Sequence, residues 1–190
     1  MTLKTFIAPA VAALALGAGS LAVAQTGNAG SSTLRERLLQ PAELPNFATV
    51  LCPSVVEDSY RWAGRYASTG SLQQNGFEAG LSEPLYSPSL RAQGVASVAR
   101  FSSEARARAE AGLELAAARR SPGRFSSFRV AGLSGAHGFT IDRGTVVERD
   151  VVFTAGRYLY LVGVTYRVGA STAVPASWLA DAAVELSGRA

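Results

Sequence analysis

The amino-acid sequence predicts an α+β fold, an antiparallel β-sheet covered by helices, with a meander whose central hairpin spans residues 145–168. Three patterns carry that expectation. A long alanine-rich stretch of helical character, "SSEARARAEAGLELAAARR" (102–120), stands between one strand and a run of strands. The segment "VVFTAGRYLYLVGVTYRV" (151–168) is apolar on both sides of a Gly-containing turn signal, as a hairpin is. A second helical stretch, "VPASWLADAAVELSG" (174–188), follows the strands.

Taken in order, "STLRERLLQPAELPNF" opens with a short helical turn capped by Ser32 or Thr33, and Pro41 and Pro45 stop it. "VVEDSYRWAGRYAS" spaces Val56, Tyr60, Ala63 and Ala67 as a helix would, although Gly64 weakens the pattern and an irregular loop is the other reading. "GSLQQNGF" predicts a helical turn ended by Gly76 in the left-handed conformation. "FEAGLSEPLYSP" is extended but interrupted by prolines, which predicts an edge strand or a loop. "GVASVARF" (94–101) is a strand. In the helix that follows, Ala105, Ala109, Leu113 and Ala116-Ala117 form the expected apolar stripe, and Glu104–Arg108 is an i,i+4 pair in the favourable order. Strands are then expected over 125–133, 138–143 and 145–153. The hairpin turn falls on Ala155-Gly156, which sets Phe153 against Tyr158 and Val152 against Leu159. The last helix has Pro175 in its first turn and a stripe of Leu179, Ala182, Ala183 and Leu186.

Residues 1–24 read as a secretory signal peptide: Lys4 precedes an uncharged Ala/Leu/Val-rich run that closes on the small-x-small pattern Ala22-Val23-Ala24. An uncleaved anchor is the competing reading, since Phe6–Val23 approaches the roughly 20 residues that span a bilayer. Residues 25–33, "QTGNAGSST", read as a flexible leader, and 34–190 as a single α+β domain. The expected location is therefore secreted or extracytoplasmic.

Composition narrows the chemistry. The basic residues other than Lys4 are all arginine, interspersed with acids along the chain, so no clustered basic face points to nucleic acid. Cys52 is the only cysteine and cannot form an internal disulfide; it reads as a buried thiol or as an intermolecular disulfide. With one cysteine and one histidine, an ordinary zinc site is excluded, and no acidic run has the spacing of a calcium loop. No cofactor is expected.

Three sets of residues are candidate sites. "GLSGAHG" (132–138) holds the only histidine, His137, three places after Ser134; with Asp142 or Asp150 these are the residues any serine hydrolase here must use. The second glycine of a G-x-S-x-G elbow is misplaced, however, and a strand follows where a helix is needed. Glycines 132, 135 and 138 are explained more simply as loop residues with positive φ. The acids Glu57-Asp58, with Glu43, Glu78 and Glu83, offer a glycosidase pair only if the fold gathers them, and solvated surface acids are the simpler reading. The third set is aromatic, Trp62, Tyr66, Phe77, Tyr86, Tyr158, Tyr160, Tyr166 and Trp178. Of these, Tyr158, Tyr160 and Tyr166 share one face of a strand with Val162 and Val164 and are the expected ligand-binding residues, the plainer alternative being a sheet face packed under a helix.

"LLQPAELPNF", "NGFEAG", "VASVARFSSEARARAEA" and "FRVAGLSGAHG", followed by "VVFTAGRYLYLVGV", resemble stretches of small uncharacterised secreted α+β domains of actinobacterial type. In layout the chain is similar to the PsbP/Mog1-like fold of LpqN-type envelope lipoproteins, although it lacks their lipidation cysteine. The resemblance implies an exported, non-enzymatic binding or scaffold domain of the cell envelope, with a lipid, a glycan or a protein as partner. The alternative is a serine hydrolase built on Ser134 and His137.

Overall fold

Alternation at the two-residue period runs through four long segments, and these pair into one antiparallel sheet. The structure, a computed structural model, describes residues 34–39, 43–50, 54–63, 66–169 and 174–189. The expected signal peptide and leader, and Cys52 with its possible disulfide, lie outside them. A helical turn over 34–36 (α1) leads to β1 (Ala48–Thr49), β2 (Val55–Val56), α2 (Ser59–Trp62) and α3 (Thr69–Gln74). Then come β3 (Phe77–Ser87), β4 (Ala92–Phe101), α4 (Glu104–Arg120), β5 (Arg124–Phe128), β6 (His137–Asp142), β7 (Val146–Ala155), β8 (Tyr158–Arg167) and α5 (Ala176–Ser187). The strand order is β1-β3-β4-β8-β7-β6-β5, with β2 beside β1 on the outer side of β3.

Helices cover both faces. On one, α5 packs its stripe of Leu179, Ala182, Ala183 and Leu186 on Val151, Phe153, Tyr160, Val162 and Val164. Leu34, Leu38, Leu39, Leu44 and Phe47 complete that layer. On the other face, α4 lies across β4, β8 and β7, over Ala99, Val152 and Leu159.

Five sequence expectations are corrected. Phe77–Ser87 is an eleven-residue strand rather than a proline-broken edge. Pro84 is tolerated because its carbonyl accepts from the Val50 amide on the β1 side; its backbone aims away from β4, so its missing N–H costs that ladder nothing. The hairpin turn is Gly156-Arg157, one residue later than expected, because Gly156 at φ 54° takes the first central position. Phe153 therefore pairs with Tyr160, with rings stacked 4.7 Å apart, and the faces of β8 are unchanged. Strand β5 ends at Phe128, and residues 129–136 form a loop. Finally, α4 buries Ala107, Ala111, Leu115 and Ala118, whereas Leu113 of the expected stripe is exposed. In the 55–68 segment, too, Tyr60 is exposed and it is Trp62 and Tyr66 that pack inward.

Candidate functional site

The buried face of α4 carries more than alanine. Glu110 and Glu114, one turn apart, both point into the protein, and Glu148 and Asp150 rise toward them from alternate positions of β7. Buried carboxyls need partners. Glu110 accepts hydrogen bonds from Ser71 Oγ and Asn75 Nδ2, both at 2.7 Å. Ser68 and Ser71 form the capping box of α3, so the same serine that starts α3 ties it to α4. The Tyr66 hydroxyl lies between the two β7 carboxylates, at 2.8 Å from Asp150 Oδ2 and in close contact with Glu148, which also meets Arg143. Glu114 receives no hydrogen bond or ion pair from the described residues.

Glu114 instead forms one wall of a groove enclosing about 410 Å³. The floor is the sheet, where side chains are small: Val95, Ser97 and Ala99 of β4 beside Ser82 of β3, with Leu159 and Leu161 of β8. Ser82 and Ser97 are cross-strand partners with hydroxyls 2.9 Å apart. The far wall is Trp62 and Tyr66, and Arg61 stands at the rim. Trp62 stacks on Phe77 at 5.7 Å and lies so close to Gly80 that a Cβ there would fall 2.6 Å from the indole. The groove exists because α4 covers β8 and β7, the α2–α3 segment covers β3, and β4 between them carries nothing large.

Burial pushes the Glu114 carboxyl up to about 8, reinforced by the charges of Glu110 and then Asp150. At neutral pH it therefore holds its proton and is a hydrogen-bond donor facing the groove. Glycoside hydrolysis takes two carboxyls flanking the bond, and of the five buried acids among the described residues only Glu114 lines this groove.

The residues singled out in the sequence lie elsewhere. Tyr158, Tyr160 and Tyr166 face α5: Tyr160 is buried and its hydroxyl accepts from Arg37 at 3.2 Å, while the Arg37 guanidinium lies 4.1 Å over the Tyr158 ring. Burial raises the pKa of both the Tyr160 and Tyr166 hydroxyls. Ser134 and His137 are exposed and no hydrogen bond joins them; Asp142 sits at the opposite end of β6 from His137, its carboxylate accepting from the Gly144 amide. Gly132 and Gly135 have the positive φ expected of them, but Gly138 does not: it is small because the Phe128 ring lies against it. The acids Glu43, Glu57, Asp58, Glu78 and Glu83 are not gathered, and Glu83 is buried rather than solvated. Asp58 caps α2, Glu78 pairs with Arg100, Glu83 accepts from Thr49, Glu43 meets Arg189, and Glu57 is exposed. Among the described residues no group of three or more His, Cys, Asp or Glu is placed to hold a metal ion, and no helix is long and apolar enough to cross a membrane.

The buried acids under α4 were missed because their signals are short. Glu148 and Asp150 alternate within an otherwise apolar strand, and Glu110 and Glu114 share the face of Ala107, Ala111, Leu115 and Ala118.

No family model matches the chain, and no curated protein does. Among solved structures it is similar to the extracellular domain of PknH from Mycobacterium tuberculosis, at 12% identity and a TM-score of 0.58, covering 84% of this chain and 96% of that one. The overall α+β fold is thus shared with an extracellular domain. A putative uncharacterized protein of Mycobacterium smegmatis, the Rv0999 ortholog, aligns over 80% of this chain and 98% of its own at 12% identity, with a TM-score of only 0.32.

Proposed function

We propose that the chain is an exported, non-enzymatic binding domain of the cell envelope, and that it holds a small ligand in the groove between α4 and the Trp62–Tyr66 wall. The observation that carries this reading is the groove itself: a concave, mostly apolar site with a few convergent polar groups, within the usual size range for small-molecule sites. The signal-peptide pattern of residues 1–24 supports export. Helices on both faces of an antiparallel sheet support the finer assignment to the PsbP/Mog1-like group. The partner is a lipid, a glycan or a protein segment of the envelope. Tyr158, Tyr160 and Tyr166, held under α5 and Arg37, take part by supporting the sheet from behind.

Native mass spectrometry of the exported protein, prepared without detergent, tests this reading. A mass added in the wild type and absent from Val95→Trp, which fills the groove floor, is the expected result. A protein that stays bare after incubation with an envelope extract overturns it.

A further inference from the structure

Resting on the reading of the groove as a ligand site, a narrower statement about ligand chemistry is available. Three carboxyls, Glu110, Glu114 and Asp150, share the interior beneath α4; Glu110 accepts from Ser71 and Asn75, and Asp150 accepts from the Tyr66 hydroxyl. Arg143 reaches Glu148. Glu114 is buried to 7% exposure, takes no bond from the described residues, and looks into the groove across from two aromatic rings. An acid that opens into a groove opposite aromatic faces, with no bond from the described residues, is the chemistry that receives a cation.

We propose that the groove takes a small organic cation, an alkyl- or aralkylammonium, whose nitrogen donates to Glu114 and whose apolar body lies along Trp62 and the Leu159–Leu161 floor.

Binding is then linked to protonation. The groups facing Glu114 are Glu110 on its own helix, Asp150 and Glu148 on β7, Tyr66 on the opposite wall and Arg61 at the rim. The acids hold its proton on in the empty groove; a bound cation favours the ionised form, so the Glu114 proton leaves to solvent as the ammonium arrives. Because the folded acid titrates near 8, affinity for a permanent cation falls by about tenfold per pH unit below that value.

The test uses the full exported protein and three probes of similar shape: phenethylammonium, phenethyl alcohol and phenylacetate. The first keeps its charge from about pH 6 to about pH 9, as a lysine with pKa near 10.4 does. Titrations followed by calorimetry at both pH values are expected to show the cation binding at least about tenfold tighter than the alcohol at the higher pH, and losing that preference at the lower. Glu114→Gln is expected to abolish the cation preference while leaving binding of the alcohol; the pH comparison in the wild type reads the same linkage should that variant fail to fold. Equal affinity for alcohol and ammonium, a preference for phenylacetate, or cation binding that ignores pH overturns the inference and leaves the groove as a ligand site. No binding of any probe also overturns it, and whether the groove is a ligand site is then read from the native mass measurement.

Discussion

The two faces of the sheet are built to different rules. Under α5 the contact is apolar throughout the helix stripe, and the buried Tyr160 hydroxyl has Arg37 as its partner. Under α4 the stripe holds three alanines, two glutamates and one leucine. Interiors normally exclude carboxylates, because desolvation costs several kcal/mol per ion unless partners compensate. Sites where local rules for stability are broken tend to be sites of function. The difference between the faces matches the proposed reading, in which one face serves stability and the other holds the ligand.

The largest expected effect breaks the closed face. Leu179→Ala removes a fully buried side chain from the α5 stripe and is expected to cost about 2–5 kcal/mol in denaturant unfolding, with ligand affinity of the folded fraction unchanged. On the groove side, Gly80→Ala drives a methyl into the Trp62 indole, with an expected cost of about 1–3 kcal/mol and a shifted tryptophan emission from a displaced wall. Loss of stability without any change in emission would mean that Trp62 does not rest on Gly80.

Glu114→Gln sharpens the comparison through pH. The folded pKa lies above the ordinary carboxyl value of 4.5, so the penalty is absent below that value, grows as pH rises from 4.5 to about 8, and is complete above it. The wild type is therefore expected to lose stability across that window, and the variant to be the more stable above pH 8 by on the order of 1 kcal/mol once water in the groove is allowed for. A melting temperature whose pH profile is identical in both would remove the acid from this account. Smallest of all, His137→Ala alters an exposed strand end and is expected to change stability by less than about 0.5 kcal/mol and binding not at all.

How far the sequence can be read follows the same division. The α5 face was legible: Leu179, Ala182, Ala183 and Leu186 differ enough from their neighbours to mark one side of a helix, and Tyr160, Val162 and Val164 alternate cleanly. The α4 face was not. Its alanines occur on several sides of the helix, so the series through Ala105, Ala109 and Leu113 looks as good as the one through Ala107, Ala111 and Leu115, and reading the wrong one puts Glu110 and Glu114 in solvent. Pro84 misled for a related reason, since nothing in its neighbours says which way its backbone nitrogen points. The site candidates followed residue chemistry alone, one histidine and a row of tyrosines, whereas the groove is defined by what is small: Ser82, Ser97, Ala99 and Gly80.

One contact near the ends of the fold has a mechanical meaning. Arg189, just after α5, donates to the Leu38 carbonyl and meets Glu43, while Arg37 donates to the Arg189 carbonyl. Residues more than 150 positions apart in sequence are thus buckled together. Tension applied through the two ends loads this buckle before it reaches any strand of the sheet, so the groove is insulated from pulling at either end. A dye pair attached at the two ends would report the buckle opening as its own event, ahead of the loss of the sheet.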